Sequence, residues 1–227
     1  MTSSVSSHTR TSLVDRALSN PDVPLVVMDL ASVESYLLVR PLSYLAVEQH
    51  GALWCPLLSK PSSLDLDIDA ARIHADRLQL PFVRPERHPA PVPRAMRIAA
   101  LAAARSRAAI FTVRATRLAW STGADLDRLE NGAGVEEPDP EDDPEEYLRL
   151  MAQEIGLDLS DAKLAAQEGS EWDVELHSIA RGLAQLGIHA APALRWQGKL
   201  YTGLVAICAV LAESESSLQP EIGRAHV

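Results

Sequence analysis

Cysteines and histidines are the side chains best suited to redox and metal chemistry, and their spacing in this chain is informative. Cys55 and Cys208 lie far apart, so they form neither a Cys-x-x-Cys redox pair nor a zinc pattern. We expect each to be a small buried hydrophobic residue. Five histidines never recur at metal-ligand spacing: His50, His74, His88, His177 and His189. The sequence therefore predicts no metal site.

One acidic segment accounts for most of the net charge of −10. Eight acidic residues and no basic residue lie between Glu136 and Glu146. A run of like charges repels itself and is usually solvated, so we interpret residues 131–146 as an acidic surface loop. The rest of the chain has no basic stripe, and we expect no nucleic-acid partner.

The length and composition predict one folded core. A chain of 227 residues that is 47% hydrophobic can bury one core, or one core with an inserted subdomain. No apolar run reaches the roughly 18 residues that a membrane-spanning helix needs. The first twenty residues also lack the apolar stretch of a secretory signal. We expect a soluble cytoplasmic protein without membrane association, whose residues 1–22 are a disordered leader.

The apolar pattern near the N-terminus predicts a βαβ unit. Residues 24–30 form a short apolar run typical of a buried strand. Residues 33–50 have apolar side chains at helical spacing, and Gly51 closes that helix. Residues 52–58 are a second apolar run, with Pro56 near its end.

The middle of the chain changes to helical patterns. Five prolines between Pro81 and Pro93 predict an extended linker, and an alanine-rich helix follows over 94–121 with a break near Ser106. Further helices are predicted over 66–78, 145–155 and 161–168. Ser170 with Asp173 resembles a capping box that begins a helix ending at Gly187. Two short strands around Gln197-Gly198 predict a hairpin, and residues 203–213 predict a last helix.

This order of elements predicts an α/β protein with a thioredoxin-like fold. The βαβ half and the αββα half form the thioredoxin-like domain (residues 23–61 and 176–213), and a large helical insertion (62–175) separates them. The last seven residues, 221–227, can be encoded by GAG ATC GGA AGA GCA CAC GTC, which resembles a sequencing adapter. We therefore expect 221–227 to be a non-native tail.

Three stretches together resemble the DsbA-like branch of the thioredoxin superfamily. VMDLASVESYL over 27–37 is similar to that family's strand followed by S-P-Y/F-S-Y/W-L. PRAMRIAAL over 93–101, with 115–127 behind it, resembles the family's helical insertion. GIHAAPA over 187–193 and GKLYTG over 198–203 are similar to G-V-x-G-V-P-T followed by G-E-L-F-W-G. The resemblance is closest to kappa-class glutathione transferases and 2-hydroxychromene-2-carboxylate isomerases.

The resemblance implies a catalytic role for Ser32. In relatives this serine hydrogen-bonds the thiol of glutathione, and in the redox branch the same position holds the first cysteine of C-x-x-C. A hydroxyl at a helix N-terminus, together with the helix dipole, stabilises a thiolate. The alternative is that Ser32 only caps the first helix, with Ser35 as its neighbour.

The resemblance also implies a glutathione-binding turn. Pro192 falls on the cis-proline of the fold, and Ala191 would offer its main-chain N–H and C=O to the cysteinyl part of glutathione. An ordinary trans-proline turn is the alternative. Lys60 follows the second strand and could reach a carboxylate of glutathione, or it is a solvated loop lysine.

Where relatives read G-Q-D-R-L after the hairpin, this chain reads Gly203-Leu-Val-Ala-Ile207. Val205 and Ala206 therefore replace charged residues that would serve the γ-glutamyl end. The resemblance still implies a glutathione-dependent isomerase or transferase for an electrophilic aromatic or unsaturated small molecule, and it implies a homodimer. The alternative is a non-catalytic or repurposed DsbA-like binding protein without glutathione. A thiol–disulfide oxidoreductase is disfavoured, because serines occupy both cysteine positions.

Overall fold

A four-stranded mixed sheet forms the centre of the structure, a computed structural model that describes residues 13–47, 51–59, 68–85, 87–90, 92–126 and 151–218. The strands are β1 (Leu25–Met28), β2 (Leu53–Pro56), β3 (Ala193–Trp196) and β4 (Lys199–Thr202), in the order β2-β1-β3-β4. β1 pairs parallel with β2 and antiparallel with β3, and β3 pairs antiparallel with β4. The predicted βαβ unit and hairpin are therefore both present.

The strand sequences account for their places in the sheet. β1 consists of four consecutive buried apolar residues, as expected for a central strand that is covered on both faces. Gln197 and Gly198 join β3 to β4 with φ values of 50° and 73°. A tight hairpin turn of this hand needs positive φ at both central residues, which glycine adopts without strain.

Eight helices surround this sheet in the described part of the chain. They are α1 (Leu13–Ser19), α2 (Val33–Val47), α3 (Ile68–Arg77), α4 (Pro93–Ala104), α5 (Ala108–Thr122), α6 (Leu159–Ala166), α7 (Glu171–Gln185) and α8 (Gly203–Leu218). Residues 151–154 are also helical. No helix among the described residues is long and apolar enough to span a membrane.

The helical insertion packs directly onto the sheet domain. The predicted alanine-rich helix is split into α4 and α5 at Ser106, whose φ is 58°. α4 is buried along most of its length and contacts β2, α5, α6 and α7. α5 contacts α2 as well as α4. The small alanine side chains permit this close approach between helices.

Two local predictions are wrong. Residues 13–19, expected to be part of a disordered leader, form α1, and Val14 packs closely over Gly182 of α7, where any side chain would clash. The predicted capping box differs too: Ser170 is the N-cap of α7 without a side-chain cap bond, and Asp173 accepts from the N–H of Gly169. The domain division remains a prediction. Lys60, the acidic loop 131–146 and the tail 221–227 lie outside the described residues.

Candidate functional site

The N-terminus of α2 places Ser32 directly after the central strand. The main-chain N–H of Ser32 donates to the carbonyl of Asp29 at 3.1 Å, forming the turn that joins β1 to α2. The N–H of Ser35 donates to Ser32 Oγ at 3.2 Å, so Ser32 caps the helix. Its side chain is buried, and the residue is only 4% exposed. A hydroxyl that accepts this bond still has its own proton to donate, so capping and ligand binding are compatible.

Ser35 has a structural role below Ser32. Its Oγ accepts from the main-chain N–H of Asp29 at 3.1 Å, and both residues are fully buried. This bond satisfies a main-chain donor that would otherwise be unpaired in the core. Ser35 thereby fixes the end of β1 to the first turn of α2.

Asp29 is a buried carboxyl group at the end of β1. Its Oδ1 accepts from the N–H of Ala31 at 2.9 Å and its Oδ2 accepts from the N–H of Ser59 at 2.6 Å. Burial raises the pKa of Asp29 to about 6, and the hydrogen bonds from Ser59 and Ala31 partly oppose that rise. The carboxyl group therefore ties the segment after β2 to the turn after β1.

The Ala191–Pro192 peptide bond is cis, which confirms the cis-proline prediction. The N–H of Ala191 donates to Ser59 Oγ at 3.4 Å. The carbonyl of Pro192 accepts from the N–H of Gly203 at 3.1 Å, which attaches the turn to the start of α8. Both Ala191 and Pro192 are buried.

These contacts join the two predicted halves of the site into one buried network. It runs from Ser32 through Ser35, Asp29 and Ser59 to Ala191. Sequence reasoning named the two ends and missed Asp29 and Ser59 between them. A carboxylate directly after a buried strand was a usable signal for Asp29. Ser59 belongs to no pattern, because only the folded chain brings residues 29, 59 and 191 together.

The helical insertion covers the turn between β1 and α2. Trp120 of α5 is fully buried, and its indole N–H donates to the carbonyl of Leu30 at 3.3 Å. Phe82 stacks on Trp120 with ring centroids 5.9 Å apart, and His88 meets the same ring edge-on at 5.5 Å. These aromatic residues form an apolar wall beside Ser32's helix.

The start of α8 supplies no charged side chain. Val205 is 75% exposed, and Ala206 is also exposed. The N–H of Leu204 donates to the carboxylate of Glu34, whose pKa is raised by burial and lowered in part by this bond and by the charge of His74. An acidic side chain of the protein thus already uses one main-chain donor at this helix N-terminus.

Two solved structures share this architecture over nearly their whole length. A 2-hydroxychromene-2-carboxylate isomerase aligns with a TM-score of 0.61 and 15% sequence identity, covering 86% of this chain and 93% of the other. A probable DsbA oxidoreductase from Streptomyces coelicolor aligns with a TM-score of 0.58 and 16% identity, covering 90% and 92%. This chain has a DsbA-like thioredoxin fold. The predicted fold class and the fold-level resemblance are confirmed.

No family model and no curated protein matches the sequence, so the DsbA-like fold rests on the structural comparison. Ser32 and Ser35 occupy the start of α2, where the resemblance places the two cysteines of the redox branch. In the ranges that the structure describes, no group of three or more histidine, cysteine, aspartate or glutamate side chains is arranged to hold a metal ion.

Proposed function

We propose that this protein is an enzyme of the glutathione-dependent isomerase or transferase kind. Its substrate would be an electrophilic aromatic or unsaturated small molecule, and its place of action the cytoplasm. One observation carries the proposal: the Ser32 hydroxyl stands at the N-terminus of α2, is oriented by the Ser35 N–H, and is linked to the Ala191–Pro192 turn. A homodimer remains a prediction.

The residues around Ser32 suit the cysteinyl part of glutathione. Because Ser32 Oγ accepts from Ser35, its proton can be donated to a ligand sulfur. The positive end of the α2 dipole acts in the same direction, and both favour the ionised form of a thiol. Ala191 and Pro192 would align the peptide chain. Bound glutathione would supply a thiolate nucleophile. Ser32, Ala191 and Pro192 would bind and orient the glutathione, and Ser32 would keep its thiol ionised.

The other end of glutathione is served less well. Val205 and Ala206 provide no charge, and the carboxylate of Glu34 repels a second carboxylate near the start of α8. We propose that Lys60 binds glutathione by pairing with one of its carboxylates. Each charge-assisted hydrogen bond that is missing weakens binding by about 1.5–3 kcal/mol, so we expect weak glutathione affinity.

Replacement of Ser32 tests this function. Ser32→Ala should raise the pKa of the bound thiol and lower turnover of an electrophilic substrate roughly ten- to a thousandfold, through loss of one hydrogen bond of about 1.5–3 kcal/mol. The measurements are a calorimetric glutathione titration and the ultraviolet absorbance of the thiolate against pH. Ser170→Ala, the same change at the N-cap of α7, is the matched control. An unshifted thiol pKa in the wild type would overturn the catalytic proposal.

A non-catalytic or repurposed binding protein is the second candidate. It is favoured by the low exposure of Ser32 and by the Ala191 N–H, which is already bonded within the protein. On this alternative Ser32 serves only as the cap of α2. Failure of glutathione to bind, together with a lowered melting temperature for Ser32→Ala, would establish it.

A further inference from the structure

The main-chain N–H of Ala191 has an acceptor inside the protein. It donates to Ser59 Oγ, and both residues are buried. The N···O distance is 3.4 Å, beyond the range of about 2.7–3.2 Å for a strong N–H···O bond. Such a long bond satisfies the donor, yet a better-placed acceptor can replace it at small cost.

Asp29 orients the hydroxyl group of Ser59. The Ser59 hydroxyl donates to the Asp29 carboxyl group, and the Ser59 main-chain N–H donates to Asp29 Oδ2 at 2.6 Å. With its proton directed at Asp29, Ser59 Oγ has its lone pairs for the Ala191 N–H. A hydroxyl that donates to a carboxylate is also a stronger acceptor. Asp29 therefore makes Ser59 Oγ a suitable acceptor for the Ala191 N–H.

We propose that Ser59, oriented by Asp29, competes with a bound peptide for the main-chain N–H of Ala191 and so acts as a specificity-determining residue. The inference rests on the proposed function, because it concerns the same turn. A thiol that offers a peptide carbonyl to Ala191 must displace Ser59. A thiol without a peptide carbonyl does not compete with Ser59, so removal of the Ser59 hydroxyl should not change its affinity.

Four forms of the full chain test the competition: wild type, Ser59→Ala, Ser59→Val and Ser59→Thr. Valine and threonine have nearly the same shape, but only threonine keeps the hydroxyl. Calorimetric titration with glutathione should give about two- to tenfold tighter binding for the alanine and valine variants, and unchanged affinity for threonine. Titration with 2-mercaptoethanol, which lacks a peptide group, should give the same affinity in all four.

Hydrogen exchange in the absence of ligand gives an independent measurement. The Ala191 amide should exchange about two- to tenfold faster in Ser59→Ala and Ser59→Val than in wild type or Ser59→Thr. Glutathione binding by Ser59→Ala but not by wild type would support the competition while overturning the proposed function. Equal affinities of wild type, alanine and valine variants would overturn the competition alone. Absence of binding by every variant would overturn both.

Discussion

Asp29 is the residue whose environment is most unusual for its type. A carboxyl group loses its hydration when it is buried, and the two main-chain donors that contact Asp29 compensate only in part. Titratable groups on the neighbouring elements include Glu34 and Tyr36 of α2, Cys55 of β2 and Arg195 of β3. Burial and the contacts with Ser59 and Ala31 are what set its pKa.

The pKa of Asp29 predicts how stability depends on pH. Because its folded-state pKa of about 6 exceeds the ordinary value of 3.8, protonation of Asp29 stabilises the folded protein. This stabilisation is fully present below about pH 3.8 and is lost as the pH rises through about 6. Relative to Asp29→Asn, the wild type should lose up to about 3 kcal/mol of unfolding free energy between pH 4 and pH 7. Denaturant unfolding across that range measures the difference.

Asp76→Asn, which changes an exposed acid on α3, is the control for this prediction. Its unfolding free energy should follow that of the wild type across the same range. Parallel curves for wild type and Asp29→Asn would mean that the carboxyl group has its ordinary pKa in the folded protein.

The two cysteines should differ in reactivity. Burial, and to a lesser extent the charge of Glu175, raises the pKa of Cys55 to about 12, while burial raises the pKa of the more accessible Cys208. At pH 8 only about one Cys55 in ten thousand would be a thiolate. Intact-mass analysis after iodoacetamide treatment should show modification at Cys208 alone, and at both residues after denaturation. A Cys55–Cys208 disulfide in folded material would contradict this.

At the level of elements, a largely buried ion pair joins α4 of the helical insertion to the first turn of α7. Arg97 of α4 donates to Asp173 of α7 at 2.7 Å and to the carbonyl of Ala166 in α6 at 3.1 Å. The Arg97 side chain is only 9% exposed. The pair therefore fixes α4, α6 and α7 relative to one another.

Loss of the acidic partner should be the more damaging change at this ion pair. Asp173→Ala leaves a buried guanidinium without its carboxylate and should lower the unfolding free energy by about 2–3 kcal/mol, less than for a fully buried pair because Asp173 is partly exposed. Arg97→Met removes the buried charge itself and should cost about 1 kcal/mol. Denaturant unfolding measures both.

The exposed pair between Arg105 and Asp161, 3.1 Å apart, provides the comparison. Asp161→Ala should change the unfolding free energy by less than about 1 kcal/mol, because solvent screens an exposed pair. Equal losses for Asp173→Ala and Asp161→Ala would show that burial of Arg97 contributes nothing.

At the level of the whole molecule, the sequence predicted the features that depend on neighbours along the chain. The helical spacing of residues 33–47, the break at Ser106 and the turn at Gln197-Gly198 are all local signals. The cis-proline followed from resemblance to a fold. The hydrogen bond between Asp29 and Ser59 and the packing of Val14 against Gly182 could not be predicted, because each depends on where elements distant in the sequence lie in the fold.

The acidic segment should be dispensable for stability. Its charges repel one another and its residues offer little apolar surface to bury. Replacing residues 131–143 with a short Gly-Ser linker should leave the melting temperature nearly unchanged and raise the isoelectric point. Scanning calorimetry and isoelectric focusing measure the two quantities. Loss of soluble expression would show that the segment has a structural role.

The antiparallel pairing of β1 with β3 has a consequence for biosynthesis. β1 ends at residue 28, whereas its partner β3 ends at residue 196. A ribosome adds about 5–20 residues per second, so on the order of ten seconds separates the synthesis of the two strands. Throughout that interval β1 can pair with β2 on one edge, but its other edge has no partner strand, and such an unpaired edge exposes the nascent chain to aggregation.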